Sequence, residues 1–272
     1  MTDLIPGGPK RLLIAGDTHG NYLHWKNILL PAAREHHVDG IVQLGDFGYW
    51  PLTRDGVDYL AWLSGELDDD DSWVVFVDGN HEDHKALLEL QRRPDGFVEI
   101  TDRILWAPRG QRWEWSGVRF LALGGAYSID RHLRKLDSGR WGWFRQEVLT
   151  KEQAERAIAD GPCDVLLTRD APEATIPSLM SHSILLGGYR PSEASITPKL
   201  IQTVAEATRP RLLMHAHWHH FIDTEVPPGV ATASDPTPTA CRVAGLACDD
   251  MDGSWAVLDL PSLHLSLDSA SS

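Results

Sequence analysis

The sequence has few cysteines and no long apolar run. No stretch approaches the about 18 apolar residues of a membrane-spanning helix, and the N-terminus lacks the basic start and apolar core of a signal peptide. Its three cysteines, Cys163, Cys241 and Cys248, are widely separated and show no C-x-x-C spacing, so they do not suggest a disulfide framework. We therefore expect a cytoplasmic protein with no membrane partner.

Positive charge is also scarce. The chain has 25 Lys and Arg against 39 Asp and Glu, a formal net charge of -14. Broad binding to nucleic acid needs a basic face, so this composition argues against a strong nucleic-acid surface. Bound metal ions can still attract a phosphate to an acidic protein. At 272 residues, 42% of them hydrophobic, the chain is within reach of a single large α/β unit.

What the sequence does contain is a series of apolar runs that end in polar residues. Residues 12–15 form a short apolar run, typical of a buried strand, that leads into Gly16-Asp17-Thr18-His19-Gly20. Asp17 and His19 lie two residues apart, so both side chains can face one point at the strand end. A carboxylate and an imidazole there are candidate metal ligands, although Asp-x-His alone is weak evidence.

Three further runs repeat this pattern. Residues 41–44 precede Asp46, Val74–Val77 precede Asn80, His81 and Glu82, and residues 211–214 precede His215-Ala216-His217-Trp218-His219-His220. On a strand, residues 215, 217 and 219 would share one face, so the pattern predicts three imidazoles side by side. Strand ends are where open α/β sheets place their sites.

In this order, Asp-x-His, Gly-Asp, Gly-Asn-His-Glu and His-x-His resemble the calcineurin-like metallophosphoesterase superfamily. The resemblance spans nearly the whole chain and implies one domain over residues 1–272. It implies an α/β fold, a four-layer α/β/β/α sandwich of two mixed β-sheets flanked by helices, with a dimetal site on one edge. It also implies metal-dependent hydrolysis of phosphoester bonds by two divalent metal ions, with manganese, iron, zinc or nickel as candidates.

The resemblance assigns roles residue by residue. It places Asp17, His19, Asp46 and His219 around one metal, and Asp46 as a bridge, Asn80 and His217 around the second. His81 corresponds to the histidine beside the metals, which contacts the phosphate and acts as a candidate general acid. Asp46 and His81 are therefore the expected catalytic residues, and Asn80 and His81 are expected to contact the substrate.

One position departs from the family pattern. After the strand at residues 163–168, Arg169 stands where the family usually has a histidine ligand, and a guanidinium has no lone pair for a metal. Arg169 either replaces a metal's charge and binds a phosphate oxygen, or weakens the second site, or reflects a shifted register; we favour weakening. Asp170 is a candidate substitute ligand. His215 is expected to support a ligand rather than to bind a metal.

The substrate is less defined. The second motif reads Gly45-Asp46-Phe47-Gly48-Tyr49-Trp50 and lacks the arginine of protein phosphatases, which favours a phosphodiesterase acting on a nucleotide or another small diester. Tyr49, Trp50 and Trp141 can either stack a base or pack. A Ser/Thr protein phosphatase, a phosphomonoesterase, and a catalytically weak regulatory or binding protein that retains the fold are the alternatives.

Local patterns also predict further elements. Helices are expected over residues 21–37, 57–67, 83–92 and 147–159, and the acidic run 68–71 is expected to be a solvated turn. Residues 133–144 form a basic, aromatic segment, interpreted as a phosphate-binding rim or as a surface loop. Strands at residues 242–246 and 255–260, separated by the turn-rich residues 249–253, suggest a closing hairpin.

Overall fold

Two mixed β-sheets lie face to face in the computed structural model, which describes residues 8–136, 142–182, 192–226 and 240–267. The strands are β1 (Arg11–Ala15), β2 (Gly40–Gln43), β3 (Val74–Val77), β4 (Val98–Thr101), β5 (Ile104–Ala107), β6 (Arg112–Trp115), β7 (Val118–Leu123), β8 (Lys135–Leu136), β9 (Gly142–Trp143), β10 (Val165–Thr168), β11 (Leu212–His215), β12 (Ile222–Val226), β13 (Cys241–Gly245), β14 (Trp255–Asp259) and β15 (His264–Leu267). The first sheet has the order β15-β14-β1-β2-β3-β5-β4, and the second has the order β12-β13-β11-β10-β7-β6.

The helices cover the outer faces of the two sheets. They are α1 (Tyr22–His24), which continues through a π-helical segment (Trp25–Leu29) into α2 (Leu30–Glu35), then α3 (Arg54–Asp69), α4 (His84–Glu89), α5 (Lys151–Ala159), α6 (Ile176–His182) and α7 (Ile196–Thr208). Thr53 caps α3 by accepting from the amide of Gly56, and Thr150 caps α5 in the same way. No helix among the described segments is both long and apolar enough to span a membrane.

Alternation along the strands produces the four layers. In β1, Leu12 and Ile14 face the second sheet and contribute to the core between the sheets, whereas Leu13 and Ala15 face the helices of the first sheet. Leu166 in the second sheet likewise packs outward, against α5 and α7. Because both faces of each sheet are covered, the strands read as continuous apolar runs rather than as alternating ones. The predicted α/β/β/α sandwich is confirmed.

The prediction that the last two apolar strands form a closing hairpin is wrong. β13 pairs with β11 and β12 in the second sheet, whereas β14 pairs with β1 and β15 in the first. The segment between them therefore crosses from one sheet to the other, because each strand finds a different long-range partner. This crossing carries Asp249 to the edge where β1 ends, since the amide of Asp249 donates to the carbonyl of Asp17 at 2.8 Å.

The acidic run at residues 68–71 ends α3 and pairs with arginines. Arg103 forms ion pairs with Asp68 and Asp71 at 2.8 and 3.0 Å, and Arg34 pairs with Asp70 at 2.8 Å. These pairs are partly exposed, so each contributes little to stability.

Candidate metal centre

The predicted ligands meet at one edge of the molecule because the strands before them run parallel. β1, β2 and β3 are parallel in the first sheet, and β7, β10, β11 and β13 are parallel in the second. Their carboxyl ends bring together Asp17 after β1, Asp46 after β2, Asn80 and His81 after β3, Arg169 after β10, and His217 and His219 after β11. This is the edge where an open α/β sheet places a site.

Asp17 lies at the centre of the cluster and is fully buried. Its Oδ1 accepts a hydrogen bond from the backbone amide of His217 at 2.9 Å, and its Oδ2 accepts from His219 Nε2 at 3.0 Å. Burial lowers the pKa of His219, but the hydrogen bonds to Asp17 and Cys248 and the nearby negative charge together outweigh it, and the pKa is raised to about 10. His219 is therefore protonated at neutral pH, and the proton lies between the two side chains.

His19 completes a three-residue group. Its Nε2 lies 3.6 Å from Asp17 Oδ2, and the candidate ligand atoms of Asp17, His19 and His219 all lie within 4.8 Å of one another. Its Nδ1 lies 2.9 Å from Oδ1 of Asp249, whose other oxygen accepts from Asn21 at 2.7 Å. A carboxylate on the far nitrogen of a ligating histidine fixes the ring's tautomer and orientation.

Sequence reasoning missed Asp249. It lies 230 residues from His19, inside a turn rich in aspartate that resembles any solvated loop. No local pattern connects the two residues, since the contact depends on β13 and β14 joining different sheets.

The prediction that residues 215, 217 and 219 place three imidazoles on one face of a strand is wrong. β11 ends at His215, and both His217 and His219 have a left-handed backbone, with φ of 71° and 52°. His215 is fully buried, its Nδ1 lies 3.0 Å from the carbonyl of Ala216, and burial lowers its pKa to about 4. The chain turns sharply because the Asp17 carboxylate takes the amide of His217, so His217 and His219 reach the site from a loop.

Left-handed backbone recurs at the site. His19 and Asp46 also have positive φ, at 49° and 54°. Non-glycine residues rarely adopt this conformation, and such strain concentrates where the surrounding structure fixes functional side chains.

Asp46 organises the loop after β3. Its Oδ1 accepts from the amides of Asn80 and His81, both at 2.8 Å. A Cβ on Gly79 would lie 2.1 Å from that same oxygen, so only glycine permits this approach. Burial is the largest cause that lowers the pKa of His81, and the positive charge of Arg134 lowers it further.

Arg169 fills the centre of the site rather than facing the cleft. Its side chain is 1% exposed, and its Nη2 donates to Asp17 Oδ2 at 2.6 Å and to Asp46 Oδ2, while its Nε donates to Asn80 at 3.2 Å. Burial opposes the charge, but Asp17 and Asp46 raise the pKa of Arg169, which stays a cation. Gly45 makes room, since a Cβ there would lie 2.6 Å from Arg169 Cδ. These donors have partners inside the protein, and the expected contact of Arg169 with substrate stays a prediction.

The side chains fit one divalent cation better than two. Asp17, His19 and His219 supply an oxygen and two nitrogens, a donor set suited to a divalent transition metal. The second position does not fit in this geometry, because Arg169 takes up Asp46 and Asn80, and a guanidinium is no ligand. Oδ1 of Asp170, the candidate substitute ligand, accepts from Trp218 Nε1 at 2.9 Å.

Two of the three aromatic candidates for base stacking are buried. Tyr49 and Trp50 are each 5% exposed and belong to the packed interior. Trp141 and Arg140 of the basic, aromatic segment lie outside the described residues.

The sequence model of the calcineurin-like phosphoesterase family matches residues 10–221. The chain therefore belongs to that family. No curated protein matches this sequence. Among solved structures, the fold is similar to a dimetal phosphatase from Danio rerio, at a TM-score of 0.49 and 13% identity over 93% of each chain. It is also similar to GAP50, the anchor in the inner membrane complex of Plasmodium, at a TM-score of 0.44 and 12% identity over 92% of this chain and 81% of that one.

Proposed function

We propose that this protein hydrolyses phosphodiesters at a centre that combines one divalent metal ion with the guanidinium of Arg169. The observation that carries the proposal is the group formed by Asp17, His19 and His219, beside His81, in a chain of the phosphoesterase family. A divalent ion at this group supplies Lewis-acid stabilisation of the charge on phosphoryl oxygens.

The protein's own residues provide the rest of the chemistry. Arg169 neutralises Asp17 and Asp46 from inside, so the carboxylates do not repel an anionic substrate. His81, half-buried at the end of β3, lies within 6.2 Å of His19 between ring centroids and can donate a hydrogen bond to a substrate oxygen. A metal held by Asp17 and His219 would take the place of the proton they share.

Charge favours a diester over a monoester. Two carboxylates, one guanidinium and one divalent ion sum to a single positive charge, whereas two divalent ions with the same carboxylates would sum to two. A phosphodiester carries one negative charge and a monoester up to two. A nucleotide or another small diester is the substrate class we propose, in preference to a phosphoprotein.

The test compares a generic aryl diester with the matching aryl monoester while the metal content of the purified protein is measured. We expect about one ion per chain and faster hydrolysis of the diester. His219→Ala should lose both metal and turnover, while His264→Ala, on β15 and away from the site, should lose neither. A protein that holds its metal but hydrolyses neither ester would overturn this proposal and favour a binding protein that retains the fold.

A further inference from the structure

An arginine holds the ring of His81. Arg134, whose side chain is 5% exposed, places Nη1 3.4 Å from His81 Nδ1. A guanidinium has donors and no acceptor, so Nδ1 of His81 must be the accepting nitrogen. A neutral imidazole that accepts at Nδ1 carries its hydrogen on Nε2. The contact therefore selects one of the two tautomers.

Arg134 cannot easily swing away from this contact. Its Nη2 donates to Glu147 Oε2 at 2.8 Å, and its Nη1 also donates to the carbonyl of Gly142 at 2.8 Å. Its Nε lies 3.2 Å from Asp130 Oδ1. An almost buried guanidinium held at three points is pre-organised, because little freedom remains to be lost when a substrate binds.

The same network reaches the neighbour of His81. Glu147 is 1% exposed, and its Oε2 also accepts from the hydroxyl of Ser128. That hydroxyl accepts from Asn80 Nδ2 at 3.0 Å. An unbroken series of hydrogen bonds thus leads from the side chain of Asn80 through Ser128, Glu147 and Arg134 to the ring of His81.

We propose that Arg134 is a positioning residue that fixes His81 as the neutral Nε2–H tautomer, so that Nε2–H is the hydrogen-bond donor offered to the substrate. The proposal rests on the proposed function only in its last step, where His81 faces a phosphoester. It concerns which ring nitrogen carries the hydrogen, because Arg134 lies on the Nδ1 side of the ring. Glu147 and Ser128 keep the donor aligned with Asn80.

The tautomer can be measured without any turnover. In protein labelled with ¹⁵N-histidine at pH 8, long-range proton–nitrogen correlation distinguishes a protonated nitrogen from an unprotonated one, and His81→Asn identifies the signals of His81. We expect a single tautomer protonated at Nε2. A ring protonated at Nδ1, or an even mixture of the two tautomers, would overturn the proposal even if no variant folds.

Variants of Arg134 and of its neighbours distinguish the positioning of His81 from a general structural role. Arg134→Met should convert His81 to a tautomer mixture, and Arg134→Lys should restore part of the preference. Ser128→Ala cuts the link to Asn80 but leaves the Arg134 contact, so the tautomer should not change. Arg131→Gln is the matched control, since this arginine lies 4.7 Å from the Tyr127 ring centroid and not on His81.

Kinetics add a second readout. Arg134→Met should lower kcat by about 10- to 100-fold with little change in KM, because a misdirected donor affects the transition state more than substrate binding. An unchanged kcat in a variant with mixed tautomers would overturn the role in catalysis. If the wild-type protein hydrolyses no ester but shows the Nε2–H tautomer, the proposed function fails while the positioning of His81 stands.

Discussion

Arg169 and Asp17 form a buried ion pair that joins the two sheets at the candidate metal centre. Asp17 follows β1 of the first sheet, Arg169 follows β10 of the second, and Arg169 Nη2 lies 2.6 Å from Asp17 Oδ2. Each charge is removed from water, so each depends on the other. A cation that cannot ligate a metal therefore lies at the centre of the site, and this changes both the stability and the metal content that we expect.

Removing Arg169 should destabilise the metal-free protein. Arg169→Met leaves Asp17 and Asp46 buried without their cation, and breaking a buried pair costs about 3–5 kcal/mol. Urea unfolding in the presence of chelator measures the loss. Arg54→Gln is the control, because Arg54 is 92% exposed in its pair with Asp58 and should change stability by less than about 1 kcal/mol. Similar losses in both variants would contradict the buried role of Arg169.

Replacing Arg169 with histidine should increase metal binding. Arg169→His removes a positive charge that repels a cation and adds a nitrogen lone pair at the end of β10. We expect the metal content to rise from about one toward two ions per chain when both proteins are equilibrated at the same free metal concentration. Equal content in the two proteins would mean that Arg169 does not limit the second site.

Asp249 should strengthen metal binding without touching the metal. Asp249→Asn weakens the hydrogen bond that orients His19, and losing such a partner typically lowers metal affinity about 10- to 100-fold. Competition with a chromophoric chelator measures the affinity. Asp252→Asn, an exposed aspartate in the same turn, should leave the affinity unchanged. An equal effect of the two substitutions would show that the turn's charge, and not its contact, matters.

His81 should matter most where the leaving group is poor. Its Nε2–H can stabilise charge that develops on the leaving oxygen, and removing one preorganised donor of this kind costs about 10²–10³-fold in kcat. The kcat of His81→Ala should therefore fall more steeply for alkyl than for nitrophenyl esters. A uniform loss across the series would place the hydrogen bond on a nonbridging phosphoryl oxygen instead.

His84 should make stability depend on pH. Burial lowers its pKa from 6.5 to about 4, and its Nε2 lies 3.1 Å from the carbonyl of Gly79. The unfolded chain takes up the proton first, so the contribution is present above pH 6.5 and is lost progressively as the pH falls from 6.5 to about 4. Between pH 7.5 and 5 the loss is about 2 kcal/mol.

Urea unfolding of the wild-type protein and of His84→Gln at the two pH values isolates the contribution of His84 to stability. Glutamine can keep the donor to Gly79 but does not titrate. The variant should lose less stability on acidification. Parallel losses in both proteins would assign the pH dependence to other groups.

Several elements could be predicted from the sequence because their signals are local. The apolar runs before Asp17, Asp46 and Asn80 predict β1, β2 and β3 to within about a residue. A strand buried on both faces consists mainly of apolar side chains, so it is recognisable from a short apolar run. The helix expected over residues 83–92 is shorter than predicted, because Leu90 leaves the helix in an extended conformation. The expected hairpin failed because the apolar pattern of a strand does not reveal its pairing partner.

The family, the positions of β1, β2 and β3 and the polar residues that follow them can be predicted from the sequence, because each depends on the spacing of nearby side chains. The inward turn of Arg169 to Asp17 and Asp46, the contact of Asp249 with His19 and the contact of Arg134 with His81 follow only from the tertiary structure. These contacts join residues from different strands and loops, and their direction depends on which buried charges must be neutralised and which donors must be satisfied. Those requirements exist only once the two sheets have packed together.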